Sequence, residues 1–303
     1  MKISKTSIGH LVSKNTREKI GLAHKGKKIS EEHKKKISEF NKKRKIGEKH
    51  HKRKKEKDMK ILKNYRIELA KTLSQHWYSI YVIYAKKGKK EKFLGHFSSV
   101  TTYLNAYPTS EQLTKWVADN GFHESRVLRD EAGRKGTKIH SAIEDLFAGN
   151  TLYSGGFTTE EFAKIKSFVD WHAEYNPEII ATEMPIFSKK GGYAGTVDCI
   201  AKIGDELCLI DWKSSKSIHN SFYLQIAAYA NAVEENTDLK IQNTAILQLG
   251  AQNKNGYRFV LEPDWKKNYK VFLSVRDTWL YDNGYADGTK EPPILDLPNE
   301  LKL

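Results

Sequence analysis

Cysteine is scarce, with only Cys199 and Cys208 in a chain of 303 residues. Two thiols cannot complete the ligand set of an iron–sulfur cluster or a structural zinc site. Both lie in one apolar stretch, where small core residues of a reducing compartment are expected rather than a disulfide. No apolar run reaches the roughly 18 residues of a membrane helix, and the N-terminus lacks the apolar centre of a signal peptide. The sequence therefore reads as soluble and cytoplasmic, with no membrane partner. It has no G-x-x-x-x-G-K-[ST] phosphate loop, so no intrinsic ATPase is expected and any motor would be a separate protein.

Beyond its first 60 residues the chain also lacks any excess of charge. Those 60 hold 22 Lys+Arg against 7 Asp+Glu, a net +15 that equals the net charge of the whole chain. A solvated, disordered tail is the plain reading, but an arm that grips nucleic-acid phosphates fits better. The arm contains a repeat. "SKNTREKIGLAHKGKK" from Ser13 and "SEEHKKKISEFNKKRK" from Ser30 align at a period of 17 residues, matching Arg17 with Lys34, Lys19 with Lys36 and Lys25 with Lys42. Each unit reads as a serine cap, a short helix with little apolar surface and a basic exit, the pair spanning roughly Ser13 to Arg44. So little apolar surface cannot hold a core, which suggests ordering on a phosphate backbone. These units resemble the modular DNA-binding repeats appended to homing endonucleases and phage-borne nucleases. The expected division is an arm over 1–60, mostly helical or disordered, and a folded domain over 61–303.

In the folded part the patterning predicts a helix around Met59 to Leu73, a hairpin from "WYSIYVIYA" and "EKFLGHF", and helices over 110–121, 123–147 and 158–175. The strand "EIIATEMPIF", a central hairpin, a helix from Asn220, the strands "NTAILQLG" and "YRFVL", and a last helix from Asp264 complete it. The class is α/β, a central mixed sheet flanked by helices.

The central hairpin, "GTVDCIAKIGDELCLIDWKSSK", places two aspartates among core-forming residues. Gly204-Asp205 suits a two-residue turn. Counting outward, Ile203 faces Glu206, Ala201 faces Cys208 and Asp198 faces Asp211. Alternation puts Ile200, Leu207 and Leu209 on one face and Val197, Ile203 and Ile210 on the other, so the hairpin should be covered on both sides. Like charges directly opposite cost roughly 0.2–1 kcal/mol even when exposed, and a divalent cation between them would reverse that sign. Lys213 shares their face and balances one of the two charges; a plain salt bridge is the structural alternative. Three further places could complete a metal site. His140 and Glu144 are one helical turn apart, as are Gln225 and Tyr229, and Glu183 lies on the strand before the hairpin. Each of these could instead be an ordinary core or surface residue. Trp77, Tyr78, Tyr81 and Tyr84 could stack on unpaired bases or simply pack.

"GTVD", "DWK" and "QIAAY" in this order resemble the signature of the PD-(D/E)xK nuclease superfamily, with its restriction-endonuclease-like core. "GTKIH" resembles the histidine motif of the RecB-like branch. The order "SSVTTYL", "RKGTKIHSAIEDL", "GTVD", "DWKSS", "QIAAYA" is similar to phage exonucleases related to the mitochondrial genome maintenance exonuclease, over about Trp77 to Tyr281. The cluster-binding cysteines of Cas4-like and AddB-like members are missing.

The resemblance implies a Mg²⁺- or Mn²⁺-dependent deoxyribonuclease, an exonuclease on single-stranded or frayed DNA ends. It implies phage origin, action in the infected host cell, and replication or recombination proteins as partners. His140, Asp198, Asp211 and the Trp212 carbonyl would hold the cation and Lys213 the attacking water. Gln225 and Tyr229 would hold the lysine or the backbone phosphate. Glu183 would serve a second metal or its water shell, and Glu144 would orient a bound water or ligand. A nicking or structure-selective endonuclease, and a non-cleaving recombination accessory protein, are the alternatives.

Overall fold

The structure is a computed structural model that describes residues 65–70, 72, 75–84, 90–286 and 290–295. The basic arm, its seven candidate phosphate contacts and the 60/61 boundary lie outside the described residues. Eight strands form one mixed sheet. They are β1 (Tyr65–Ala70), β2 (Trp77–Tyr84), β3 (Lys90–Ser99), β4 (Glu178–Ser188), β5 (Tyr193–Ile203), β6 (Glu206–Lys213), β7 (Asn243–Leu249) and β8 (Tyr257–Glu262). The described helices are α1 (Val100–Tyr103), α2 (Glu111–Asn120), α3 (Phe122–Phe147), α4 (Thr159–Tyr175), α5 (Asn220–Asn236) and α6 (Trp265–Asp282). None of them is long and apolar enough to cross a membrane.

Local chemistry explains most boundaries. Ser110 Oγ accepts from the Leu113 N–H to open α2, and Thr158 with Glu161 forms a reciprocal capping box at α4. Gly204, at φ 61°, makes the tight β5–β6 turn. The expected register follows from it as far as Cys199, with Ile203 opposite Glu206, Ala201 opposite Cys208 and Cys199 opposite Ile210; the ladder ends there, so the expected Asp198–Asp211 pair lies just past its last rung. The two cysteines are free and buried, not facing one another.

Two expectations fail. The stretch Tyr65–Ala70, read as part of a helix, is a strand antiparallel to β2. Arg, Glu, Leu and Ala favour helix weakly, but Tyr65, Ile67 and Leu69 alternate, and pairing with β2 outweighs the local preference. Val197 does not share the face of Ile203 and Ile210. It packs with Ile200 and Leu209 against α5 and α6, whereas Cys199, only two residues on, packs with Ile210 against α3 and α4. Residues two apart on a regular strand share a face, so the side-chain phase of β5 inverts at Asp198. Opposite Asp198, between the pairs Thr182↔Cys199 and Met184↔Val197, stands Glu183 at φ 47°. A left-handed residue other than glycine rotates the chain at that point.

The sheet topology opens the same spot. β4 runs along one whole edge of β5. The other edge is shared, β3 pairing with Tyr193 and Ala194 and β6 with Cys199 to Ile203. Residues 195–198 therefore face a fork between two strands. Above the fork lie α5, α6 and α1, and below it α3 and α4.

The lower layer is aromatic. Trp171 is wholly buried, stacked on Tyr175 at 6.0 Å and beside Phe168 and Phe259. Its indole N–H has no hydrogen-bond partner among the described residues. Trp171→Ala is expected to cost about 3–5 kcal/mol in chemical denaturation. Trp171→Phe should cost clearly less than Trp171→Ala, because it keeps one ring in the layer, leaves a smaller cavity and has no hydrogen bond to lose.

Candidate active site

Asp198 and Asp211 end up buried, with 8% and 1% of their surface exposed. Asp198 sits where the β5–β6 ladder stops, and its Oδ2 accepts from the Trp212 N–H at 3.0 Å. A side chain thus satisfies a backbone donor that would otherwise be stranded in the fork. Its other oxygen lies 3.6 Å from His140 Nδ1. His140 Nε2 contacts the Trp212 carbonyl at 3.1 Å. A carbonyl only accepts, so Nε2 carries the proton and Nδ1 presents a lone pair toward Asp198. Burial holds the imidazole below its ordinary pKa, which keeps it neutral and fit to bind a cation.

Lys213 leaves β6 on the face of Asp211. Its ammonium lies 2.7 Å from Asp211 Oδ2 but off the direction of a hydrogen bond, so this buried oxygen has a charge beside it and no directed donor. The ammonium does donate to Gln225 Oε1 at 3.0 Å and lies 4.8 Å over the Phe222 ring. Lysine only donates, so the Gln225 oxygen must face it, and its amide nitrogen then donates to Tyr229 Oη at 3.1 Å. Burial pushes the Tyr229 phenol up, so it remains protonated. The expected i, i+4 pair on α5 therefore acts as one chain from Tyr229 through Gln225 to the lysine.

That chain depends on Gly195. A Cβ there would lie 2.5 Å from Tyr229 Cε1, so only glycine lets the ring pass close to β5.

Asp198 is also electrostatically unsettled. Burial first, and the Asp211 carboxylate second, raise its pKa well above the usual carboxylate range, against the opposing pull of Lys213. One lysine does not neutralise two buried carboxylates. The nitrogen of His140 and carboxylate oxygens of Glu183 and Asp198 lie within 4.8 Å of one another. Asp211 is not in that group, its side chain being turned to Lys213. His140, Glu144, Glu183, Trp212 and Lys213 line one cleft of about 650 Å³; Asp198 adjoins His140, and Asp211, Gln225 and Tyr229 connect to Lys213 directly or through one another. Tyr78 reaches the fork too, its hydroxyl 3.5 Å from Thr196 Oγ1. Trp77 packs in the core beside Tyr285, and Tyr81 is covered by Arg66 and Phe93.

Sequence reasoning missed the residues that hold the loop after Lys213. Lys164 Nζ donates to the Ser214 carbonyl at 3.0 Å, and Gln248 Nε2 to the Ser215 carbonyl at 3.0 Å. Gln248 carried a signal, as a polar residue in the otherwise apolar "AILQLG". Lys164, on a mixed-charge helix, carried none.

The mixed sheet thus opens into a fork that gathers carboxylates, a neutral histidine and a tethered lysine. No protein-family model matches the chain. It is similar to mitochondrial genome maintenance exonuclease 1 of Mus musculus, 27% identical over 160 residues covering 48% of this chain and 46% of that protein. The Xenopus tropicalis counterpart is 41% identical over 167 residues, covering 49% and 46%. The chain thus spans about half the length of the curated relatives it matches. Among solved structures, LHK-Exo in complex with dAMP overlaps with a TM-score of 0.33 at 10% identity, covering 64% of this chain and 95% of that one.

Gly195→Ala is expected to force Tyr229 aside and lower stability by about 1–3 kcal/mol, the usual cost of overpacking. In a Tyr229→Ala background the same change should cost much less. Thermal unfolding of the four proteins in that cycle measures the coupling directly.

Proposed function

We propose that this chain is a divalent-metal-dependent DNA exonuclease of the PD-(D/E)xK superfamily, in its RecB-like branch, acting at single-stranded or frayed ends. The observation that carries the proposal is the fork itself, in which His140, Glu183 and Asp198 offer atoms within 4.8 Å of one another, Lys213 lies beside Asp211, and His140, Glu183 and Lys213 line one cleft. Similarity to proteins named as exonucleases over about half of the chain supports the same reading. So does the motif order, which also favours phage origin and action with replication or recombination proteins in an infected cell. The arm, with Arg17, Lys19, Lys25, Lys34, Lys36, Lys42 and Arg44, would hold DNA near the site.

The donor set fits a hard cation. Asp198 and Glu183 offer oxygens and His140 a neutral nitrogen within one ion's span, and a cation there would offset the burial and the Asp211 repulsion that disfavour the charged form of Asp198. One nitrogen among oxygens suits Mg²⁺ and suits Mn²⁺ better. When bound, the cation supplies Lewis-acid polarisation of the phosphodiester.

The chain's own residues do the rest. Lys213, fixed by Gln225 and Asp211, offers N–H donors to a phosphoryl oxygen as negative charge develops on it. Tyr229, through Gln225, anchors the ammonium on the side away from Asp211, so that it is held between the two. The Trp212 N–H holds Asp198 in orientation, and Glu144, one turn along α3 from His140, faces the same cleft.

End-labelled single strands incubated with Mg²⁺ or Mn²⁺ should be degraded, with EDTA abolishing the reaction and circular single strands left intact. Lys213→Ala and Asp211→Asn should each lower the rate by roughly 10²–10³-fold, the usual loss for a preorganised charged group. Inactive wild type, or full activity in Asp211→Asn, overturns the assignment.

Metal removal has a signature in stability. A carboxyl whose folded pKa is raised stabilises the folded state at low pH, and that contribution is lost as pH rises through the folded value. In EDTA at neutral pH, Asp198→Asn should therefore raise Tm by about 3 °C, the scale of ~1 kcal/mol in a domain of this size. The gain should vanish in acid. Mg²⁺ should raise the wild-type Tm and leave the variant's unchanged. Calorimetry across pH with and without Mg²⁺ checks all three outcomes.

A further inference from the structure

Beside the cleft, separated from it only by the Ser214–Ser215 turn, lies a second hollow of about 570 Å³ between the start of α4, the loop after β6 and the β7–β8 turn. Its polar walls carry Lys164, Lys216, Gln248 and Arg258 against a single acid, Glu160. Lys164 is spoken for, bonded to Glu160 at 2.8 Å and to the Ser214 carbonyl. Lys216 and Arg258 make no ion pair within 4.0 Å among the described residues. The two hollows are joined in register. Lys213 pairs with Gln248 across the parallel β6–β7 ladder, and Gln248 pairs with Arg258 across β7–β8. One row of the sheet thus leads from the lysine of the cleft to an unpaired arginine two strands away, about 10 Å at the usual strand spacing.

Resting on the nuclease reading above, we propose that this hollow is a second phosphate subsite for the same DNA strand. In it Lys216 and Arg258 grip a backbone phosphate flanking the scissile one. Three features support it. The hollow is large enough to admit a backbone phosphate and its sugar. Its cations outnumber its acids, and the acid is already neutralised by Lys164. The turn between the hollows is fastened on both carbonyls, by Lys164 from α4 and Gln248 from β7. Gly250, where a Cβ would lie 2.8 Å from Lys164 Cγ, leaves the lysine stem room to do so. A fastened turn fixes the distance between the two phosphate positions, which makes the subsite a ruler for the bond that is cut. Arginine on an edge strand also serves to deter edge pairing, but that role requires neither the neighbouring Lys216 nor any dependence on substrate charge.

The test uses the full chain with Mg²⁺ and a short single-stranded oligonucleotide carrying one neutral methylphosphonate, placed in turn at each position near the first cleaved bond. For wild type, one flanking position should raise KM about tenfold while kcat for the first cut is unchanged. In Lys216→Ala/Arg258→Ala that position should have no further effect, unmodified substrate should show the raised KM, and the log–log salt dependence of binding should flatten by about 0.7 per lost contact. A variant that keeps wild-type KM, salt slope and position profile overturns the subsite. Wild type that fails to cut the unmodified oligonucleotide overturns the nuclease reading instead, so the two failures are distinct.

Discussion

Two buried carboxylates at the end of one hairpin, Asp198 and Asp211, set the terms for everything around them. In a surface sheet their repulsion would be small and screened, but here almost no water reaches either. Lys213 beside Asp211 answers one charge and the Trp212 N–H partly answers the other. What is left over is either a proton on Asp198 or a cation shared with Glu183 and His140. Burial is the larger cause of the raised Asp198 and the imbalance the second, while burial alone keeps His140 neutral against the pull of the carboxylates around it.

The backbone is arranged to keep the imbalance in place. A continuous β3–β5–β6 sheet would pair residues 195–198 and leave no room for a ligand. Sharing one edge of β5 between two strands opens the fork, and the left-handed turn of the chain at Glu183 inverts the phase of β5 where it borders that opening. Asp198 is then the residue of β5 at which the two packing layers exchange, so it can reach His140 from the lower layer while Lys213 is fastened to α5 in the upper one. Helices from both faces thereby contribute to one site through a single strand.

Much of this was legible in the sequence because it is local. The Gly204-Asp205 turn fixed the register of the hairpin, one-turn spacing put Gln225 beside Tyr229, and the serine and threonine caps marked α2 and α4. What escaped was non-local or backbone-encoded. Nothing in "ATEMPIF" announces that Glu183 takes a positive φ, so alternation assigned Val197 to the wrong layer. "YRIELA" holds good helix formers, and only the presence of β2 makes it a strand. The sharing of an edge between β3 and β6 depends on where distant segments end, which no window of residues reports. Lys164 and Gln248 matter through the carbonyls they hold, and a carbonyl has no letter.

The exceptions to ordinary folding rules in the described part cluster rather than scatter. Within a few residues of the fork occur a non-glycine left-handed residue, two like charges in the sheet, a ladder that stops early and a glycine kept small by a tyrosine ring. Each is unfavourable alone, the left-handed residue by of order 1–2 kcal/mol. Elsewhere the caps, turns and apolar layers agree with local preference, and that surplus is what lets the cluster persist. A core selected only for stability would relieve the conflict simply, with one uncharged residue at 198 and a regular ladder past it. Retaining both carboxylates, with a lysine beside one and a histidine beside the other, leaves the fork with more buried negative charge than the protein itself offsets, and that surplus is what the proposed cation would answer.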